Sequence, residues 1–201
     1  MTRESLALGV VLAGGSSSRM GHDKALSELG GRRMIDHVVA ALRRAGLEPI
    51  VAGPVRPGVD AGFVADPAGL AGPAAGLAAV MRSHPGADVV LVGTDQPYLR
   101  SETVRGLLEI EGRLVAPVDG RRQTLCAVYR AGAHAALEDL LAGDQSPSLQ
   151  ALFDAGGVEI PASIWQAWGE DGRSWLSIDT RIGLEAAAAA WPEPPSGTIR
   201  P

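Results

Sequence analysis

Residues 6–12, LALGVVL, are an unbroken apolar run that stops at a Gly-Gly pair. A short run without alternation is the pattern of a strand buried on both faces, and such strands belong to parallel sheets covered by helices on either side. DVVLVG (88–93) repeats the pattern, is the most β-like run in the chain, and stops at TDQP. Between them, RMIDHVVAALRRAGL places Ile35, Val38, Val39 and Leu42 at helical spacing, with Gly46 set to end the helix. PIVAG (49–53) and GFVAD (62–66) read as short strands, and GPAAGLAAVMRSH (72–84) as a helix with proline near its first turn. Strands alternating with helices through residue 100 predict a three-layer α/β fold with a mostly parallel sheet.

The second half reads as more mixed. Ser101 is placed to cap a helix SETVRGLLE. RLVAPV (113–118) and TLCAVYR (124–130) flank the turn dipeptide Asp119-Gly120, which predicts a hairpin or near-hairpin and some antiparallel pairing. HAALEDLLAG (134–143) and SLQALFDAGG (148–157) read as helices, and VEI and WLSI as late strands. No linker or internal repeat interrupts residues 1–191. The expectation is one domain, with a nucleotide half over about 1–100, an acceptor half over about 101–191, and a disordered tail at 192–201.

Composition narrows the function. With 46% hydrophobic and 20% charged residues, the 201-residue chain is an ordinary globular protein able to bury a core. A net charge of −5 and 4% aromatic residues argue against nucleic acid as a partner. No stretch reaches the ~18 apolar residues that span a membrane. The N-terminus mimics a signal peptide but lacks an A-x-A site, so a cytoplasmic location is expected. The single Cys126 excludes an internal disulfide and any Cys-based zinc site.

After the first strand comes LAGGSSSRMGHDK (12–24). It is neither a P-loop, because His22 follows Gly21 where lysine is required, nor a G-x-G-x-x-G dinucleotide turn. The physics of a phosphate loop holds nonetheless. Gly14 and Gly15 let backbone N–H groups approach a polyphosphate, and Arg19 and Lys24 bring two positive charges to it. Asp95, directly after the second buried run, is expected at a strand's carboxyl end near this loop, where Mg²⁺ could be held between a carboxylate and phosphate oxygens.

The same stretch resembles the signature L-x-G-G-x-S-x-R-M-G-x-x-K of the MobA-like nucleotidyltransferases, with every specified position filled from Leu12 to Lys24. Within that superfamily the chain is most similar to the molybdenum cofactor guanylyltransferases. The likeness continues through DPAGLAGPAAGL (66–77), TDQPYL (94–99), GRRQTLCAVYR (120–130) and SIDT (177–180).

The resemblance implies a Rossmann-like fold, Mg²⁺ dependence, and transfer of GMP from GTP to molybdenum-bound molybdopterin. Molybdoenzyme apoproteins or other cofactor-biosynthesis proteins are the implied further partners. It assigns nucleotide contacts to Leu12, Ala13, Gly14, Gly15, Arg19, Lys24, Asp66 and Asp95, catalysis to Arg19, Lys24 and Asp95, and the metal to Asp95 and Asp179.

Alternatives stand beside these roles. Asp66-Pro67 is also a turn, Asp179 also a helix cap, and Gly72 and Gly76 also helix–sheet packing positions. Arg121 and Arg122 are candidates for a phosphorylated acceptor or plain exposed turn residues. The family's frequent His-Pro is replaced by Gln123-Thr124, which affects the acceptor side. Trp165, Trp168 and Trp175 either frame a pterin or pack. A cytidylyltransferase, another nucleotidyltransferase of the superfamily, and a non-catalytic cofactor-binding protein are the rival functions.

Overall fold

The computed structural model describes residues 6–14, 23–67, 72–143 and 148–192. The chain runs β1 (Ala7–Leu12), β2 (Glu28–Leu29), β3 (Arg32–Arg33), α1 (Met34–Arg44), β4 (Glu48–Ala52), β5 (Gly62–Val64), α2 (Pro73–Ser83) and β6 (Asp88–Gly93). It continues with α3 (Ser101–Glu109), β7 (Leu114–Asp119), β8 (Arg121–Arg122), β9 (Cys126–Tyr129), α4 (His134–Gly143), α5 (Leu149–Asp154), β10 (Val158–Ile160), α6 (Ala162–Trp165) and α7 (Arg181–Ala190).

One sheet runs in the order β10-β7-β9-β6-β1-β4-β5, and β8 pairs with the end of β7. β1 is parallel to β4 and β6, β4 to β5, and β7 to β10, whereas β9 is antiparallel to both β6 and β7. The fold is the expected Rossmann-like α/β arrangement with a mostly parallel, partly mixed sheet. Alternate strand residues supply the two faces. Val11, Val90, Val92 and Val128 meet α1, α3 and α6 through Ile35, Val38, Leu42, Val104, Leu107 and Trp165. Val10, Val89, Leu91 and Tyr129 meet α2, α4 and α5 through Leu77, Val80, Leu137, Leu152 and Phe153. Every residue of β6 is buried, and each fully buried Val or Leu contributes about 1.5–3 kcal/mol of transfer free energy.

A third apolar cluster lies beside the sheet. Leu29, Met34, Tyr98, Ile178 and Ala187 are buried together, with Leu176, Leu184 and Trp191 packed on them. The β2–β3 hairpin behind Leu29 turns at Gly30 and Gly31, which have φ of 59° and 76°, the left-handed pair that a two-residue hairpin demands.

Three expectations are corrected. WLSI is not a strand: Arg173–Trp175 is a 3₁₀ turn, and the Ile178 N–H donates to the Asp95 carbonyl at 2.8 Å instead of joining a ladder. Ser101 is not the cap of α3 but its first, buried residue; Arg100 stands at the cap, and its N–H is taken by Ser174 Oγ at 3.0 Å. The helix read over 148–157 stops at Asp154 and is capped by Ser148, whose Oγ accepts from the Gln150 N–H. Residues 193–201, most of the expected tail, lie outside the described residues.

The imidazole of His37 sits against Trp191 with ring centroids 4.5 Å apart, and its Nε2 is 2.8 Å from the Leu29 carbonyl. Burial pushes its pKa below the ordinary histidine value, against smaller opposing effects. Above pH of about 6.5 both folded and unfolded chains hold it neutral. As pH falls through that value the unfolded chain takes up the proton first, so stability declines. Urea denaturation between pH 7 and 5.5 should show this decline, and His37→Gln should flatten it.

Candidate active site

β1 and β6 are paired in register to their last residues, Leu12 opposite Gly93. Their following loops therefore leave the sheet side by side. The order β4-β1-β6 makes this the point where successive connections diverge to opposite sides of β1, the usual ligand crevice of an open α/β sheet. The Thr94 N–H donates to the Leu12 carbonyl at 3.2 Å, and the Ala13 N–H to the Ala52 carbonyl at 2.9 Å.

The first wall is crowded. Gly53, one residue past β4, has φ of 141°, and a Cβ there would stand 2.9 Å from both Ala13 C and Gly14 N. Only glycine allows that backbone approach. At Gly14 a Cβ would lie 2.3 Å from Asp66 Oδ2, so the Asp66 carboxylate rests directly on the Gly14 Cα. Gly76 of α2 admits the Leu12 side chain in the same way, its Cβ position being 2.8 Å from Leu12 Cδ2 and 3.9 Å from Asp66 Oδ1. Leu12, Ala13, Gly14 and Asp66, expected together from the sequence, are thus together in space. Gly15 and Arg19 lie outside the described residues.

The second wall carries the charges. Asp23 caps a 3₁₀ turn (Lys24–Leu26) by accepting the Ala25 N–H at 3.1 Å. This turn carries Lys24, whose Nζ lies 3.2 Å from Asp95 Oδ2. Both side chains are partly buried, at 18% and 26% exposure, so the pair contributes about 1 kcal/mol or less to stability. Its importance is positional. The turn bearing Asp95 is fixed by Gln96, whose Oε1 accepts the Gly93 N–H at 2.8 Å.

Ser177 Oγ donates to the same Asp95 oxygen at 2.7 Å. The sequence reading passed over Ser177 in favour of Asp179, although both stand in SIDT. The bond from Ile178 to the Asp95 backbone draws the whole 177–179 segment to this wall. Asp179 itself is exposed. It does not cap α7; Thr180 does, its Oγ1 accepting the Gly183 N–H at 3.0 Å.

The two turn arginines part company, as successive residues of a strand do. Arg122 is held by Glu159 (2.7 Å) and Asp154 (2.9 Å) and lies over the Phe153 ring. Hydrogen bonding to Glu159, then to Asp154, raises its pKa further. It ties β8 to α5 and β10, while Arg121 is exposed. The tryptophans pack: Trp165 and Trp175 meet edge to face at 5.2 Å, and their Nε1 groups donate to the Val118 carbonyl and to Asp119 Oδ2. Trp168 covers Gly106 of α3. Cys126 is buried, and burial raises its thiol pKa, so it offers no thiolate nucleophile.

A glycine-bearing strand end facing a lysine–aspartate pair at the switch point is matched by a family description. Residues 9–158 match the MobA-like NTP transferase domain. The chain belongs to that family. Among curated relatives, the molybdenum cofactor guanylyltransferase of Xanthomonas euvesicatoria is 36% identical over 154 residues, 76% of this chain and 80% of that protein. The probable molybdenum cofactor guanylyltransferase of Pelotomaculum thermopropionicum is 38% identical over 141 residues, 67% of this chain and 69% of that protein. The crystal structure of molybdopterin-guanine dinucleotide biosynthesis protein A from Archaeoglobus fulgidus superposes with a TM-score of 0.76 at 20% identity, covering 90% of this chain and 97% of that one. These likenesses make the present chain a MobA-like nucleotidyltransferase, with the fold shared across most of its length.

The two glycines of the first wall should respond differently to alanine. At Gly53 the new Cβ meets backbone in a strained conformation, so Gly53→Ala should lower stability by about 1–3 kcal/mol. At Gly14 it meets the end of an exposed carboxylate that can swing aside, so Gly14→Ala should stay within about 0.5 kcal/mol. Urea denaturation of both variants measures the contrast.

Proposed function

We propose that this MobA-like nucleotidyltransferase transfers GMP from GTP to the terminal phosphate of molybdenum-bound molybdopterin, releasing pyrophosphate. The observation that carries the reading is the Lys24–Asp95 pair, held at the carboxyl ends of β1 and β6 beside the Gly14–Asp66 contact. The choice of acceptor and base is supported by the names of relatives 36% and 38% identical to this chain.

In the reaction an oxygen of the acceptor phosphate forms a bond to the α-phosphorus, and the bond from that phosphorus to the bridging oxygen of pyrophosphate breaks. The attacking phosphate is already ionised near neutral pH, so no general base is needed. Positioning and charge neutralisation carry the catalysis. Leu12, Ala13 and Gly14, continuing into Gly15, present backbone to the phosphates. Lys24, with Arg19, balances the charge on the departing pyrophosphate. Asp66, against Gly14, contacts the nucleotide. In this reading Arg121, the exposed member of the arginine pair, meets the acceptor; Arg122 would first have to leave Glu159 and Asp154.

The donor set fits Mg²⁺. Asp95 is a hard carboxylate, a quarter exposed and already facing a cationic group, and Mg²⁺ takes one or two carboxylates with phosphate oxygens and water as the rest. Among the described residues no cluster of three or more His, Cys, Asp or Glu side chains could hold a metal ion. Asp95, with Asp179 on the adjoining segment, would hold it, and when bound it would neutralise phosphate charge. No helix among the described residues is long and apolar enough to cross a membrane, and the proposed setting is the cytoplasm.

Thermal unfolding with each of the four nucleoside triphosphates and Mg²⁺ should show stabilisation selective for GTP, about 2.7 kcal/mol at a hundredfold excess over Kd. Lys24→Ala should abolish it. In a pyrophosphate-release assay with loaded acceptor, Lys24→Ala and Asp95→Ala should each lower turnover about 100-fold or more with the fold retained. Near-normal turnover in either variant would remove its assigned role.

A further inference from the structure

Arg56 stands in PVRPG, between β4 and β5, and is only 7% exposed. Its Nε donates to Asp23 Oδ2 at 2.7 Å, and one terminal nitrogen to Asp23 Oδ1 at 3.2 Å and to the Ala13 carbonyl at 2.8 Å. The other terminal nitrogen donates to the Pro54 carbonyl at 3.2 Å. Ala13 is the first residue after β1, and Asp23 is the residue before Lys24. One guanidinium therefore spans both ends of the glycine-rich segment.

The Asp23 end leads straight to the reactive charges. The Asp23 oxygen that accepts from Arg56 at 3.2 Å also accepts the Ala25 N–H. The carboxylate is thereby fixed from two directions, and with it the 3₁₀ turn that aims Lys24 at Asp95. At the Ala13 end, Arg56 holds the carbonyl of a residue whose N–H is held by β4. Arginine suits this task because its planar fork makes several directed bonds at once, whereas lysine offers a point charge.

We infer that Arg56 is a positioning residue for nucleotidyl transfer: it clamps the two ends of the glycine-rich segment together and, through Asp23, sets Lys24 against Asp95. The inference rests on the nucleotidyltransferase reading. Its chemistry has an internal control at the opposite end of β6. There Arg130 bonds Asp88 at 2.9 Å and the carbonyls of Leu108 and Ile110. It is a comparable arginine hub, far from the proposed chemistry.

The test compares full-length wild type, Arg56→Gln, Arg56→Lys, Asp23→Asn, the Arg56→Gln/Asp23→Asn double variant and Arg130→Gln. For each, kcat and KM for GTP are measured with Mg²⁺ and loaded acceptor, alongside the ligand-free Tm. Arg56→Gln is expected to lower kcat about 100-fold, the scale of a misplaced reacting group, with a smaller change in KM. Arg56→Lys should recover part of the loss, and the double variant should be no slower than the slower single one, because both break one clamp. Arg130→Gln should lower Tm while keeping kcat.

A kcat for Arg56→Gln within roughly threefold of wild type, or an equal loss in Arg130→Gln, would overturn the inference alone. Should Arg56→Gln fail to fold, a folded Arg56→Lys with full kcat would overturn it as well. Wild-type protein inactive with all four triphosphates would overturn the transfer reading, and this inference with it.

Discussion

The in-register parallel pairing of β1 with β6 is the constraint on which the rest of this molecule depends. It sets Leu12 beside Gly93, so the residues that follow two strands far apart in sequence leave the sheet as neighbours. Backbone hydrogen bonds fix that proximity before any side chain contributes. Lys24 can meet Asp95 because the strands beneath them are already aligned. A slip of one residue would invert the faces of β1 and bury the wrong side chains against both helical layers.

Other charged side chains are engaged in pairs of their own. Arg122 is engaged by Glu159 and Asp154, Arg130 by Asp88, and Arg82 by Glu138. Glu170, buried, is satisfied by the Thr103 and Ser174 hydroxyls and by the N–H groups of Asp171, Gly172 and Ser174. A buried carboxylate needs such a set of donors to remain folded inside a protein. Here it also anchors the segment that leads to Ser177.

What could be read from the sequence follows a physical pattern. β1 and β6 were legible because an apolar run without alternation admits few environments, and the Lys24–Asp95 proximity followed from both residues trailing such runs. WLSI misled because the same apolar residues serve equally to pack: Trp175 goes edge to face with Trp165, and Ile178 enters the cluster under α7. Arg56 and Ser177 were illegible for another reason. Their decisive contacts reach across 33 and 82 residues, and a polar contact at that separation leaves no periodicity behind. The β2–β3 hairpin had a signal in Gly30-Gly31, but it is short enough to be hidden between a loop and a helix.

The attachment of residues 177 and 178 to Asp95 has a consequence for the order in which the protein is made. Among the described residues every strand of the sheet lies within residues 7–160, so a ribosome that has delivered them has delivered those strands. The hydroxyl and the N–H that hold Asp95 emerge later, and α7, which covers that segment, later still. Vectorial synthesis thus completes those strands first and the charged wall of the site last.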